Sequence, residues 1–403
     1  MSDFLQNGLI ANLSMLNRSN IDDIEEQLIK LNEDRKIALV LPSLYSEVSS
    51  KALKNILETL KDVQYIDRII VTLGRANSTE FQDAKKYFNA LPQKPIIIWN
   101  DGPRLQRLYK KLIKYELSAG PDGKGRSVWM AIGYILALNK DYMISFHDCD
   151  IITYNRNLLA RLCFPIACPS LLYEYCKGYY ARFTDRLHGR VTRLLLNPII
   201  KAFINIIGNI EFLQYLQSFR YILAGEFALI SELAHVIRIQ SDWGLEIGLL
   251  SEIYHNCSLD RICQVELIEN YEHKHQPLFI KDAKKGLLKM AIDIVKTLLQ
   301  NLASLGIIIS SDLIKTLKIA YHTEARKESK KFEDLSKINS LKYDRHSEGI
   351  CIETFIKAID YAYDEYNKAS NPVFIPPWIR VSYAIPEFFN ELLEAVELDN
   401  KFA

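Results

Sequence analysis

The segment Tyr142–Ile152 reads YMISFHDCDII and decides the fold of the chain. Its first half is a continuous apolar run with the length of a buried strand, and it stops at two carboxylates, Asp148 and Asp150. Burying carboxylates is costly unless they are neutralised, so the pair suggests a cation at the carboxyl end of this strand. In open α/β sheets that edge is also where ligands bind.

Three more apolar segments precede this strand, and they alternate with helical patterns. Strands are predicted at 37–41, 67–73 and 95–99, and helices over 48–60, 80–91, 103–118 and 125–139. Because each strand is apolar throughout, the pattern indicates a mostly parallel sheet covered by helices on both faces. Pro42 is expected to end the first strand.

The regular alternation stops after residue 150. Strands are predicted at 168–176 and 262–269, and helices at 188–206, 211–218, 225–236 and 243–254. We expect three parts in the chain, which are a helical N-terminal extension over 1–36, an α/β domain over 37–280 with halves 37–150 and 151–280, and a largely helical C-terminal region over 281–403. Within the last part, the proline-rich stretch 372–386 is expected to be extended.

Composition and charge exclude several classes of protein. Lys and Arg total 50 against 49 Asp and Glu, so no overall field attracts nucleic acid or a membrane surface. The 7 cysteines show no CxxC spacing, which indicates reduced thiols in a cytoplasm. The N-terminus lacks a signal-peptide pattern, and no stretch of about twenty apolar residues could span a membrane. We therefore expect a cytoplasmic protein without nucleic-acid or membrane partners.

The acidic pair is the first candidate for chemistry. Side chains two apart on a strand share a face, so Asp148 and Asp150 could approach one ion. Oxygen ligands that leave room for water and phosphate oxygens suit Mg²⁺ or Mn²⁺. The alternative is structural: one of the two carboxylates could cap a helix that begins after Asn155.

Two basic segments are candidates for anion binding. The stretch 120–126, GPDGKGR, opens a predicted helix, whose exposed N–H groups and Lys124 could hold an anion. A glycine turn with an exposed lysine is the alternative. Four arginines fall within 180–193, where Arg190 and Thr192 flank a helix start and suit a phosphate or carboxylate. Here the alternative is a solvated basic face.

The last two candidates lie further along the chain. In 243–248, WGLEIG, Glu246 could accept hydrogen bonds from sugar hydroxyls while Trp243 packs on the ring. Alternatively, Glu246 pairs with an arginine. His273 and His275 follow the predicted strand 262–269, and one of them could be a metal ligand.

Taken together and in this order, these segments resemble the glucosyl-3-phosphoglycerate synthases and their mannosyl relatives. The resemblance covers roughly 37–280 and is carried by GKG at 123–125, DCDI at 148–151, HGRVTRLLLNP at 188–198, LAGEFAL at 223–229, WGLEIGLL at 243–250 and EHKHQPL at 272–278. It implies a retaining, metal-dependent glycosyltransferase of the GT-A nucleotide-sugar-binding fold, which is an α/β fold with a mostly parallel central sheet. The largely helical C-terminal region lies outside these motifs.

The resemblance also implies roles for single residues. Asp150 and His273 would bind Mg²⁺ or Mn²⁺, and the catalytic residues would be Glu246, Lys124 and Asp148. The nucleotide sugar would be bound by Pro42, Leu44, Glu47, Gly123, Lys124, Asp148, Leu223 and Glu246. The acceptor would be bound by Gly189, Arg190, Val191, Thr192 and His275.

The reaction implied by the resemblance is transfer of glucose from UDP-glucose to 3-phosphoglycerate. Its product, glucosyl-3-phosphoglycerate, is a precursor of the compatible solute glucosylglycerate, and relatives of this kind are commonly homodimers. One alternative is mannosyl transfer from GDP-mannose. Two others are a metal-dependent sugar-phosphate phosphohydrolase and a non-catalytic nucleotide-sugar sensor. A phosphohydrolase would need a nucleophilic aspartate at the end of the first strand, but the sequence there reads LPSLYSE.

Overall fold

The structure is a computed structural model, and it describes residues 6–17, 20–273, 286–368 and 374–401. Its strands in chain order are β1 (Ala11–Leu13), β2 (Lys36–Leu44), β3 (Arg68–Gly74), β4 (Ile96–Trp99), β5 (Tyr142–Phe146), β6 (Tyr175–Ala181), β7 (Phe227–Ile230), β8 (Ile239–Gln240), β9 (Ile262–Asn270) and β10 (Phe374–Ile375). Eight of them form one sheet in the order β1-β9-β6-β7-β5-β2-β3-β4. β8 and β10 pair separately and are antiparallel.

The helices cover both faces of this sheet. They are α1 (Ile21–Leu31), α2 (Lys51–Leu60), α3 (Ser78–Phe88), α4 (Pro103–Lys114), α5 (Lys124–Ala137), α6 (Arg156–Ala167), α7 (Asn197–Ile207), α8 (Glu211–Ser218), α9 (Ser231–Val236), α10 (Leu245–Asn256), α11 (Gly286–Ser304), α12 (Ser311–Ile338), α13 (Arg345–Lys368), α14 (Trp378–Ala384) and α15 (Phe388–Lys401). A π-helical segment, Val191–Leu196, runs directly into α7.

The central sheet has two buried faces, as the apolar strands predict. Along β2, Val40 contributes to the hydrophobic cluster on one face, and Leu39 and Leu41 contribute to the cluster on the other. Every residue of β5 is buried. All neighbouring strands of the sheet are parallel except β7, which is antiparallel to both β5 and β6. The prediction of a mostly parallel α/β sheet is confirmed.

The predicted helix over 225–236 is wrong in its first half. Phe227–Ile230 forms strand β7, which inserts between β5 and β6, and a helix begins only at Ser231. The run contains alanine and leucine, both good helix formers, but Phe227 stacks on Phe146 with ring centroids 4.6 Å apart. The hydrogen-bonded pairing of β7 with β5 on one side and β6 on the other outweighs the weak helix preference of these residues.

The prediction that Pro42 ends the first strand is also wrong, because β2 continues to Leu44. The backbone of Val40 faces β5, since its carbonyl accepts a hydrogen bond from His147 N at 3.1 Å. Pro42 lies two residues on and faces the same side, where β5 has already ended at Phe146. The missing N–H of proline therefore costs no hydrogen bond of the sheet.

Three other predicted segments differ in part. The N-terminal extension contains α1 but is not helical throughout, because Ala11–Leu13 adds a parallel edge strand to β9. The strand predicted at 168–176 lies at Tyr175–Ala181, after a short 3₁₀ turn at Pro169–Leu171. The proline-rich stretch after 372 contains α14, because its prolines flank that helix at positions that tolerate them.

The described C-terminal helices pack on the rest of the chain. α12 lies on α7, α11 lies on α10 and α13, and α15 lies on α4, α5 and β4. One hydrophobic cluster runs without a break from the sheet into these helices. The domain boundaries at 36, 150 and 280 stay predictions. All 7 cysteines are free, and none of the described helices is both long and apolar enough to cross a membrane.

Candidate active site

The acidic pair lies where the sequence predicts, at the carboxyl end of β5. Asp148 and Asp150 are partly buried beside the end of β2. Helix α6 has its own cap, because the Oδ1 of Asn155 accepts a hydrogen bond from Leu158 N at 3.1 Å. The alternative that one of the aspartates caps this helix is therefore wrong.

Lys124 neutralises one of the two carboxylates. It is the first residue of α5, directly after Gly123, and its Nζ lies 2.6 Å from Asp148 Oδ1 and 3.6 Å from Glu246 Oε1. Burial disfavours the charge on Lys124, but Asp148 and Glu246 outweigh that effect and raise its pKa. For Asp148, burial acts to raise the pKa, and Lys124 more than compensates, so the pKa is lowered.

Two of the structural alternatives are excluded by this cluster. Lys124 is not an exposed lysine on a glycine turn, since it pairs with two carboxylates. Glu246 lies in the first turn of α10 and pairs with a lysine rather than with an arginine. Trp243 is 46% exposed beside it, which leaves its ring accessible for packing against a ligand.

A glycine lets the chain pass close to the lysine–aspartate pair. A Cβ at Gly225 would lie 2.4 Å from Asp148 Oδ2 and 2.9 Å from Lys124 Nζ. No side chain fits there without moving the pair. Leu223, predicted to contact the nucleotide sugar, is partly buried against the core two residues earlier. Gly225 therefore belongs to the candidate site, although the sequence alone does not predict it.

A second buried carboxylate follows directly in the chain. Both oxygens of Glu226 accept hydrogen bonds, from Tyr180 Oη and from Tyr271 Oη, each at 2.6 Å. The two tyrosine rings stack with centroids 3.8 Å apart. Burial raises the pKa of Glu226, and the nearby charge of Asp148 raises it further. Glu226 lies within the LAGEFAL motif, but nothing local in the sequence marks it as a site residue.

A buried lysine completes the charges around the pair. Lys177 in β6 is 1% exposed, and its Nζ donates to the carbonyl of Ala224 at 2.8 Å. Burial lowers its pKa to about 8, although Glu246 and Glu226 act to raise it. In the sequence, a lysine within the otherwise mostly apolar strand YCKGYY is the feature that indicates a buried charge at this position.

His273 is brought to Asp150 by backbone pairing. It forms an isolated antiparallel bridge with Ile151, supported by a hydrogen bond from Ile152 N to the carbonyl of Glu272 at 2.8 Å. As a result, His273 Nδ1 lies 3.6 Å from Asp150 Oδ2. The other oxygen, Asp150 Oδ1, is buried and has no hydrogen-bond partner among the described residues.

These two side chains fit a hard divalent cation. The described part of the chain contains no group of three or more His, Cys, Asp or Glu side chains arranged around one point. Mg²⁺ usually takes only one or two protein carboxylates and completes its shell with water and substrate phosphates. The unpartnered oxygen of Asp150 beside His273 is consistent with such a partial ligand set. Asp148 is the less suitable metal ligand, because its carboxylate already forms a salt bridge with Lys124.

The predicted nucleotide loop follows β2 at the same edge of the sheet. Pro42 and Leu44 belong to the last three residues of that strand, and a short 3₁₀ turn, Tyr45–Glu47, comes next. The Oε2 of Glu47 accepts a hydrogen bond from Leu44 N at 3.0 Å, so this carboxylate shapes its own loop. Contacts of Pro42, Leu44 and Glu47 with a nucleotide stay predictions.

The predicted acceptor residues lie together at the start of the π-helical segment. Gly189 has a positive φ of 71°, a conformation that favours glycine. Arg190 follows at the helix start, and Thr192 is 4% exposed with no hydrogen-bond partner for its Oγ1 in the described structure. Val191 is buried in the core, so only its backbone could face a ligand. His275 lies outside the described residues.

Arg182 joins the acceptor residues to His273. Its Nη1 donates to Tyr221 Oη at 2.7 Å, and its Nη2 contacts Nε2 of His273. Tyr221 Oη in turn lies 3.3 Å from where a Cβ of Gly189 would be. The alternative of a purely solvated basic face is wrong here, because Arg193 is buried and Arg182 is partly buried.

The sheet and the site together define a class. A mixed sheet with an acidic pair after its central parallel strand, a lysine on one aspartate and a histidine beside the other is typical of metal-dependent glycosyltransferases of the GT-A fold. No family model matches the chain. The glucosyl-3-phosphoglycerate synthase of Persephonella marina is 46% identical and matches over 99% of both chains. The corresponding protein of Methanococcoides burtonii is 35% identical over 94% of both chains.

A solved structure agrees with this class at the level of the fold. The glucosyl-3-phosphoglycerate synthase of Mycobacterium tuberculosis, in complex with Mn²⁺, UDP-glucose and phosphoglyceric acid, gives a TM-score of 0.53 at 23% identity. The match covers 75% of this chain and 89% of that chain. Because the relatives from Persephonella marina and Methanococcoides burtonii match over nearly their full length, the chain belongs to the glucosyl-3-phosphoglycerate synthase family.

Proposed function

We propose that the protein transfers glucose from UDP-glucose to 3-phosphoglycerate and releases UDP. The observation that carries this proposal is the Lys124–Asp148 pair, which lies with Asp150 and His273 at one edge of the sheet. Through Arg182 and Tyr221 this group adjoins the segment that begins at Gly189, to which we assign acceptor binding. The names of the two full-length relatives support the same reaction.

The donor half would act through charge. Asp150 and His273 would hold Mg²⁺ or Mn²⁺, and a bound cation of this kind supplies Lewis-acid stabilisation of a leaving diphosphate. Lys124 carries a fixed positive charge in a partly buried position, where it would stabilise the same developing charge. Glu246 would accept hydrogen bonds from hydroxyl groups of the glucose, with Trp243 packed beside it.

The acceptor half would recognise the two anionic groups of 3-phosphoglycerate. The first N–H groups of a helical segment have no partner within it, and the Thr192 hydroxyl lacks a partner among the described residues. The Arg190 guanidinium suits forked contact with a phosphate or carboxylate. Together these groups would hold the acceptor with its free hydroxyl toward the glucose.

The alternatives have less support. Mannosyl transfer from GDP-mannose would require the same fold, but the full-length relatives are glucosyl transferases by name. A phosphohydrolase of the kind considered needs an aspartate at the end of β2, and the sequence there, LPSLYSE over 41–47, contains none. A non-catalytic sensor would not need donor and acceptor groups side by side.

One assay separates these possibilities. We expect the purified protein to release UDP from UDP-glucose with Mg²⁺ or Mn²⁺, and only when 3-phosphoglycerate is present. Release that does not depend on 3-phosphoglycerate would contradict the acceptor assignment. Faster reaction with GDP-mannose would favour the mannosyl alternative. Phosphate release from the acceptor would favour a hydrolase, and binding without turnover would favour a sensor.

The metal assignment is tested by Asp150→Ala. Loss of a ligand that stabilises leaving-group charge removes several kcal/mol, so we expect kcat to fall by about 100-fold or more. The dependence of the rate on Mn²⁺ concentration should move to higher concentration in the same variant. Wild-type activity in Asp150→Ala would contradict the assignment.

We also propose a cytoplasmic location and a homodimer. Seven free cysteines suit a reducing compartment. The dimer is an expectation from the family resemblance, and light scattering of the purified protein would test it. A monomeric mass at micromolar concentration would contradict it.

A further inference from the structure

The first turn of α13 reaches the proposed acceptor site from the C-terminal region. Arg190 Nε donates to Glu348 Oε1 at 3.0 Å, and Arg190 Nη2 donates to Ser347 Oγ at 3.1 Å. Glu348 is 4% exposed. The turn itself is fixed, because Asp344 Oδ1 accepts a hydrogen bond from Ser347 N at 3.0 Å. The arginine that the acceptor site needs is therefore held by residues more than 150 positions away in the chain.

Glu348 is shared between two arginines with different surroundings. Arg193 Nη1 donates to Glu348 Oε2 at 2.9 Å, and Arg193 Nε donates to the carbonyl of His188 at 2.8 Å. Arg193 is 8% exposed, whereas the Arg190 side chain keeps 30% of its surface exposed. Arg193 thus holds Glu348 from its buried side, and Arg190 lies on the solvent-accessible side of the carboxylate.

A second contact ties the C-terminal region to the same loop. Lys342 N donates to the carbonyl of Asp185 at 2.7 Å, and Lys342 Nζ lies 2.9 Å from Asp185 Oδ2. The segment 342–348 therefore follows the acceptor loop from Asp185 to Arg193. Its position does not depend on a single ion pair.

The hydrogen bonds leave one edge of the Arg190 guanidinium for a ligand. A guanidinium has five N–H donors in a rigid fork. Nε and one N–H of Nη2 are directed to Glu348 and Ser347, so among the described residues both N–H groups of Nη1 and the second of Nη2 have no partner. That edge suits bidentate contact with a carboxylate or phosphate. Thr192 Oγ1, two residues on, has no hydrogen-bond partner in the part of the chain that the structure describes, which is a second and independent sign of a ligand here.

We propose that Glu348 is a positioning residue for the acceptor, which orients Arg190 so that its free edge binds an anionic group of 3-phosphoglycerate. The inference rests on the proposed function, and it gives the C-terminal region a part in acceptor binding. Ser347 assists by fixing the Nη2 end of the same guanidinium.

An opposite role would give an opposite result. If Glu348 only offset the positive charge of Arg190, its removal would make the site more positive and acceptor binding tighter. If Glu348 orients Arg190, its removal frees the guanidinium to rotate, and acceptor binding becomes weaker. The direction of the change in KM for 3-phosphoglycerate therefore decides between the two roles.

The test is steady-state kinetics of Glu348→Gln, which keeps the size of the side chain and removes its charge. We expect KM for 3-phosphoglycerate to rise about tenfold, with kcat and KM for UDP-glucose within about twofold of wild type. Glu353→Gln is the matched control, since Glu353 lies on the same helix with 66% of its side chain exposed. This control should leave all three constants unchanged.

Ser347→Ala provides a second variant that keeps the ion pair. We expect its KM for 3-phosphoglycerate to rise two- to threefold, and thermal unfolding should show both variants folded at the assay temperature. An unchanged or lower KM in a folded Glu348→Gln protein would overturn the inference while leaving the proposed function intact. Wild-type turnover that ignores 3-phosphoglycerate would overturn the proposed function and the inference with it.

Discussion

The conformation around Gly225 sets how closely the chain can approach the lysine–aspartate pair. A methyl group at this position would lie 2.4 Å from Asp148 Oδ2. We therefore expect Gly225→Ala to displace Asp148 or Lys124, and to lower kcat/KM for UDP-glucose by about 10- to 100-fold, as misplacements of about 1 Å do in active sites. Steady-state kinetics with varied UDP-glucose would measure this.

Gly349→Ala is a suitable control for the same substitution. A Cβ at Gly349 meets no heavy atom within 4 Å, and the residue lies inside α13, where alanine is a better helix former. We expect wild-type kinetics and equal or slightly higher stability. Equal kinetics for Gly225→Ala and Gly349→Ala would show that the donor pocket tolerates a side chain at Gly225.

The burial of His147 should make the stability of the protein depend on pH. It is fully buried, and its burial lowers its pKa from 6.5 to about 3, against an opposing effect of Asp148. As the pH falls below 6.5, the unfolded chain takes up a proton at this residue and the folded protein does not. The contribution of neutral His147 to the free energy of unfolding is therefore fully present above pH 6.5, and it is lost progressively as the pH falls toward 3.

The size of this effect can be measured by difference. Between pH 6.5 and 5 we expect the His147 contribution to the free energy of unfolding to fall by about 2 kcal/mol. Urea unfolding of wild type and of His147→Asn at both pH values isolates it from the carboxylates that titrate in the same range. The two proteins should lose different amounts of stability, and parallel losses would contradict the prediction.

Residues were predictable where the chemistry lies within one short segment. Asp148 and Asp150 end an apolar run, and Lys124 stands between glycines at a helix start, so each carries a local signal. Glu226 carries no such signal, because its partners Tyr180 and Tyr271 lie more than 40 residues away in the chain. Only the folded sheet brings these three side chains together.

Helices and strands, like single residues, were predictable where the signal is local and not where distant pairing decides. The parallel strands were predicted because each is apolar over its whole length, and α5 was predicted from its glycine-rich start. β7 was not, because its four residues read equally well as helix and only the pairing with β5 and β6 decides. Glu348 could not be paired with Arg190 from the sequence, since 158 positions separate them.

Helix α11 supports the element that carries Glu246. Lys296 Nζ lies 3.0 Å from Asp242 Oδ2 and 3.5 Å from the buried Asp293 Oδ1. Asp242 Oδ1 accepts a hydrogen bond from Gly244 N at 2.9 Å, which fixes the turn before α10. A helix of the C-terminal region thereby holds the turn that leads into the proposed sugar-binding residue.

Lys296→Met tests this support. We expect KM for UDP-glucose to rise about threefold to fivefold because the turn before Glu246 loosens, with KM for 3-phosphoglycerate unchanged. Loss of a partly buried pairing partner should also lower the free energy of unfolding by about 2 kcal/mol. Lys315→Met removes an exposed pair with Asp312 and should change neither quantity. A donor KM that stays at the wild-type value would show that α10 is held without α11.

At the scale of the whole molecule, the C-terminal helices and the sheet share one core. Trp378 of α14 stacks on Trp129 of α5 with ring centroids 3.9 Å apart, and its Nε1 donates to the carbonyl of Trp129 at 2.8 Å. The Trp129 Nε1 donates in turn to the carbonyl of Pro376 at 2.8 Å. α5 begins with Lys124, so this contact links the C-terminal region to the donor site through a single helix.

Trp378→Ala should therefore weaken the whole protein and not only its C-terminal region. Truncation of a fully buried tryptophan costs about 3–5 kcal/mol, and we expect one unfolding transition at lower urea concentration. Circular dichroism and catalytic activity should be lost together, because a shared core makes unfolding cooperative. Tyr383→Ala, on the same helix with 82% exposure, should unfold like wild type. Two separate transitions in Trp378→Ala, with activity retained after the first, would instead show that the C-terminal helices form an independent unit.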